Sequence, residues 1–176
     1  MRVGLAFIAG MIGWAAMVGL TVLIQLTGAT QFDWSMLVGS VITGQIGSGA
    51  WILGFVAGLI ISGLIALIYG AVFEGMQRSN WRLGVVGGII HAAIGGVFFA
   101  AMSSFDRAMP NLILPPGPYA INYGALTAVA VVVLPLIYGA IVGGMYRPIH
   151  IPVSVLGKPA EEHEAVVTAG EDRRMR

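Results

Sequence analysis

The chain contains no cysteine. That one absence excludes disulfides, thiolate nucleophiles, iron–sulfur ligation and Cys-based zinc sites, and it says nothing about compartment. Charge is scarce as well. Only 10% of the 176 residues are Asp, Glu, Lys or Arg, where soluble domains carry about a quarter. The net charge of +1 builds no field for a nucleic acid, and none is expected as a partner. No nucleophile–base set, phosphate loop or metal cluster can be assembled, so an enzyme is not expected.

The missing charge is unevenly distributed. No charged side chain lies between Arg2 and Asp33, between Asp33 and Glu74, between Arg82 and Asp106, or between Arg107 and Arg147. An α-helix of about 20 apolar residues crosses roughly 30 Å of hydrocarbon. The pattern predicts an all-α integral membrane protein with four spans, at about 3–26, 50–73, 83–104 and 124–146. The first run is far longer than a secretory signal core and reads as a retained span. Arg2, Arg78, Arg82 and Arg147 flank one side, joined by Lys158 and the arginines of the tail, while the opposite loops hold only Arg107. The bias puts both termini in the cytoplasm of a bacterial or archaeal cell, with the spans in its inner membrane. Residues 1–147 form the bundle, and 148–176 a polar cytoplasmic tail.

Of the two loops on the opposite side, one contains WSMLVGSVITG, apolar enough for a short helix lying at the interface. The other contains NLILPPGPY, whose prolines forbid a regular helix. The tail is too polar to fold alone. It is expected to lie on another subunit's surface.

Two stretches repeat. IYGAVFEGMQR at 68–78 returns as IYGAIVGGMYR at 137–147. AGMIGWAA (9–16) echoes GGIIHAAI (87–94), and QFDWSM (31–36) echoes SFDRAM (104–109). The order is kept. Spans 1–2 and 3–4 therefore read as two copies of one helical hairpin, a parallel repeat about an axis along the membrane normal. Small residues four apart recur as Ala6/Gly10, Ala15/Gly19, Gly54/Gly58, Gly84/Gly88 and Gly139/Gly143. Such pairs let helix backbones approach where lipid offers no hydrophobic drive. They predict a closely packed face on every span, with surface left for other membrane subunits.

His91 is the one strongly ionisable residue within the predicted spans. It lies nine residues from Arg82, as Tyr69 lies nine from Arg78 and Tyr138 nine from Arg147. All three sit about 13 Å inside the membrane edge, so a Tyr69–His91–Tyr138 layer is expected in the core, with the three polar groups satisfied there by hydrogen bonds that lipid cannot offer. Three roles compete for His91: a hydrogen-bonded packing residue, an axial ligand to haem or chlorin with Gly87 leaving room one turn away, and a proton relay. Asp33 and Asp106 occupy equivalent loop positions. They read as helix caps, or as a cation pair. Pro135 is expected to kink the fourth span.

At WRLGVVGGIIHAAIGGVFFAAM, LIYGAVFEGM and LIYGAIVGGMYR the chain resembles a family of small four-span prokaryotic membrane proteins of unknown function. The resemblance covers residues 1–147 and implies the four-span fold but no activity. Composition and packing together point to a non-catalytic accessory subunit of a larger inner-membrane complex, a respiratory or photosynthetic electron-transfer assembly first among them. The alternatives are a small transporter or channel for a neutral solute, and a haem or chlorin carrier using His91.

Overall fold

A computed structural model describes residues 1–149. The tail expected to lie on a partner falls almost wholly outside the described residues. Five α-helices are present among the described residues: α1 (Val3–Leu26), α2 (Trp34–Thr43), α3 (Ser48–Met76), α4 (Trp81–Ala101) and α5 (Ala125–Met145). A 3-10 turn, Met102–Ser104, extends α4. Four of these elements are long and apolar enough to cross a membrane, and the chain is a multi-pass membrane protein. α3 is longer than the hydropathy suggests and carries Glu74 in its last turn. α5 continues through Pro135.

The ends follow from local chemistry. Asp33 accepts the Met36 N–H at 2.9 Å and caps α2. Gly44 ends that helix in the left-handed region, φ 66°, where a side chain would be strained. Asn80 accepts the Leu83 N–H at 2.9 Å and caps α4.

α1 packs on α3 and on α5, and α5 packs on α4. The seams are glycine seams. A Cβ on Gly84 would strike the Gly139 carbonyl, and one on Gly139 would strike the Gly84 carbonyl. Gly88 meets the backbone of Pro135 and Leu136, and Gly10 meets that of Ser62 and Gly63. Gly58 receives the Trp14 ring and Gly13 the Tyr138 ring. The small pairs therefore close the bundle, with one exception. Gly19 has nothing within 4 Å, and Ala15 beside it is exposed. α1 packs through Ala6 and Gly10 instead.

α2 departs from the expected interfacial helix. Gly39 sits against Ala50, and Gly54 against Ser35. As one index rises by four the other falls by four, so α2 stands upright and antiparallel along α3. Gly58 is level with Trp14, which puts Gly54 and Ser35 level with Val18. The start of α2 thus lies about 12 Å inside the end of α1. Residues 30–33 descend into the bundle, and α2 climbs back out. Irregular backbone at that depth must be buried in protein and hydrogen-bonded. Phe32 is 2% exposed. Its N–H donates to Thr30 Oγ1 at 3.0 Å, and its carbonyl accepts from Gln25 Nε2 at 2.9 Å. Thr30 and Thr127 of α5 share a hydroxyl hydrogen bond of 2.6 Å. The apolar face that suggested the interface is buried against α3 because Gly39 and Gly54 allow backbone contact.

Glycine at a seam and glycine facing outward respond oppositely to a methyl group. Gly84→Ala is expected to destabilise the bundle by about 1–3 kcal/mol, because the clash is with backbone. Gly95→Ala, with open space at that position, is expected to be neutral or to stabilise by up to about 1 kcal/mol. Thermal unfolding of the detergent-solubilised variants checks both, and equal effects would remove the seam assignment.

Candidate functional site

The three residues singled out for the core layer meet. Tyr69 of α3, His91 of α4 and Tyr138 of α5 form a triangle, with ring centroids 5.8 Å apart for the tyrosines. His91 lies 5.4 Å from Tyr138 and 6.4 Å from Tyr69. All three pairs are edge-to-face, at interplanar angles of 77°, 85° and 63°. Aromatic pairs favour this geometry because a ring edge is positive and a ring face negative.

The layer is not the hydrogen-bonded one expected. Tyr138 Oη donates to the Ser62 carbonyl at 2.5 Å. The Tyr69 hydroxyl and His91 Nδ1 are buried without a hydrogen-bond partner. The reason is geometric: each ring presents an edge to its neighbour's face, which directs the polar atoms past one another. Gly87 holds the Tyr69 ring, since a Cβ there would lie 2.6 Å from Tyr69 Cε1. A haem or chlorin in the Gly87 notch would have to displace that ring.

The layer stands at the bundle's open edge. A strict twofold would pack α3 on α4 as it packs α1 on α5, yet α3 and α4 make next to no backbone contact. The echo of 9–16 in 87–94 marks where the two edges differ. It sets Gly13 against His91, and the echo of the IYGA stretches sets Tyr138 against Tyr69. On the closed edge Tyr138 sits in the hollow at Gly13. On the open edge that position is an imidazole. Tyr69 moves one turn along α4 to Gly87, and the helices stay apart. An apolar groove of about 250 Å³ remains between them, with Tyr69 at one end and Met76 and Leu83 near the other.

At the arginine-bearing end, Glu74 joins the N-terminal residue to the residue that follows α5. It accepts from Tyr146 Oη at 2.6 Å and lies 3.7 Å from the N-terminal amine. Burial, then the hydrogen bond to Glu74, holds the Tyr146 phenol above its ordinary pKa. Sequence reasoning passed over this pair. The signal was present as a lone carboxylate in IYGAVFEGM, where the second copy has Gly.

At the other end the two aspartates serve different hydrogen bonds. Asp33 caps α2 and also accepts from Trp51 Nε1 at 2.8 Å. Asp106 is 3% exposed and accepts from Ser40 Oγ at 2.7 Å and from the Ala108 N–H at 2.9 Å. Ser40 lies seven residues along α2 from Asp33, about 10 Å away, so the two carboxylates do not share one site. Comparison of the chain with protein-family models, curated proteins and solved structures found no match.

The two tyrosine hydroxyls are in opposite circumstances. Tyr138→Phe removes a buried hydrogen bond and is expected to cost about 0.5–1.5 kcal/mol. Tyr69→Phe removes an unpartnered hydroxyl and is expected to leave stability unchanged or raise it. Melting temperatures in one detergent provide the measurement. A Tyr69→Phe loss as large as that of Tyr138→Phe would mean that Tyr69 has a partner in the membrane.

Proposed function

We propose that this protein is a non-catalytic accessory subunit of a larger inner-membrane complex, a respiratory or photosynthetic electron-transfer assembly being the first to examine. The observation that carries this reading is the outward face of α1. Four of the five small-residue pairs are used within the bundle. Ala15/Gly19 faces outward, with nothing within 4 Å of Gly19. Such a notch admits the backbone of a helix from another protein. The transporter reading gains no comparable support, because Phe32 and Trp34 fill the bundle between α1 and α4. The proposed topology is two hairpins of a parallel repeat, α1 with α3 and α4 with α5, both termini cytoplasmic. The motif resemblance to small four-span membrane proteins accords with this fold.

Two experiments test the reading. Cysteines introduced at Gln45 and Asn111 are expected to react with an impermeant thiol reagent in intact cells, and one at Arg78 is not. The chain has no cysteine of its own to confuse the result. The reverse pattern would invert the topology. In mild detergent the tagged protein is expected to co-migrate with electron-transfer subunits in fixed ratio, and Gly19→Leu to reduce that companion at least about tenfold. A protein that migrates alone, and moves a neutral solute in proteoliposomes, would replace this reading with the transporter.

A further inference from the structure

The repeated stretch ends in arginine both times, and the fold brings the two copies together. Arg78, Arg147 and Arg2 line one cleft of about 690 Å³ at the arginine-bearing end of the bundle. They arrive from three places: the α3–α4 turn, the end of α5 and the N-terminus. The cleft also holds Asn80 and Trp81, where α4 begins. Helix N-termini favour anions through their unpaired N–H groups and dipole. The turn is fixed from below by Ser79, whose hydroxyl donates to the Gly143 carbonyl at 2.7 Å.

Nothing among the described residues neutralises these arginines. The one ion pair joins the N-terminal amine to Glu74. Glu74 is also the only described carboxylate at this end, and it is engaged by Tyr146 and the Ile149 N–H. The fourth arginine, Arg82, lies over the Trp81 ring at 5.3 Å.

The cleft adjoins the open seam. Residues 77–81 line the cleft, while Met76 just before them and Leu83 two residues after line the apolar groove between α3 and α4. The groove runs from there to Tyr69, about 10 Å deeper along α3. A cationic cleft at the membrane edge, continued inward by an apolar slot, has the two-part chemistry of an anionic phospholipid. We infer that this is a lipid site: the phosphate of one anionic phospholipid is held by Arg78 and Arg147, with Arg2 beside them, and an acyl chain lies in the α3–α4 groove. Basic pockets between spans bind anionic head groups in this way. The inference is independent of the accessory-subunit reading, since the outward notch lies on α1.

Native mass spectrometry of the delipidated full-length protein tests it. With dioleoyl phosphatidylglycerol, one lipid per chain is expected to bind at least about tenfold more tightly than dioleoyl phosphatidylcholine. Arg78→Gln with Arg147→Gln is expected to weaken that binding about 30-fold. Val86→Trp, which fills the groove from an exposed position, is expected to weaken both lipids while the protein still elutes as a monodisperse species. Equal retention of the two lipids, or full retention by the arginine variant, would overturn the proposal. So would competition by inorganic phosphate at the lipid's own concentration, which would indicate a free-anion site. Binding seen only after removal of 150–176 would assign the cleft to carboxylates of the tail instead.

Discussion

Backbone contact through glycine is the constraint on which the rest of this structure depends. In water, helices associate because apolar faces leave the solvent. In lipid that drive is absent, and cohesion comes from dispersion at close range and from hydrogen bonds. Dispersion falls steeply with separation, so a gap of even 0.5–1 Å forfeits about a quarter to a half of each contact. Gly84 against Gly139, Gly10 against Ser62, and Gly39 against Ala50 remove that gap. Each seam sets the register of a helix pair, and the registers in turn set the depth of every side chain. The rings of Tyr69, His91 and Tyr138 meet because Gly87 and Gly13 receive the two tyrosines.

The same constraint explains the least regular part of the molecule. Residues 30–33 carry backbone polar groups into the bundle, a position costly in hydrocarbon. The cost is met by Gln25, Thr30 and Thr127, which satisfy or fix that backbone. The aromatic side chains then fill the space. Phe32 stands edge-on to Trp34, Phe99 and Tyr123, with centroids 5.1, 5.7 and 5.3 Å away. The upright α2 is possible only because Gly39 and Gly54 let it lie on α3. One seam therefore converts what hydropathy treats as a surface helix into part of the core.

The spans were legible because twenty uncharged residues in a row have few other uses. Equal spacings from three arginines pointed to the three polar rings but not to their backbone depths: with Gly84 level with Gly139, His91 is level with Val132, about 9 Å from Tyr138 along the helix. The Asp33 cap was readable from local chemistry. The rest depended on which face of each helix turns inward, and hydropathy is silent there: in lipid both faces are apolar. Hence Ala15/Gly19 looked like Ala6/Gly10, although one faces outward and the other packs. Hence also the layer was expected to be hydrogen-bonded. Spacing points to three polar rings, but only the rotamers decide whether their edges or their polar atoms meet.

On the proposed parallel repeat, the two copies differ at one position beside the candidate sites. Two identical hairpins would close both of their mutual edges. Closing an edge requires a hollow at one position for a tyrosine on the facing helix, and Gly13 supplies it for Tyr138. Where the second copy has His91, the hollow is filled and Tyr69 is diverted to Gly87. α3 and α4 make next to no backbone contact along that edge. The arginines that end the two copies were not altered in the same way, so they still converge at the mouth of the edge that failed to close. On the proposed repeat, this Gly-to-His difference coincides with the unpaired imidazole nitrogen, the groove beside it and the arginines at its mouth, which no described carboxylate neutralises.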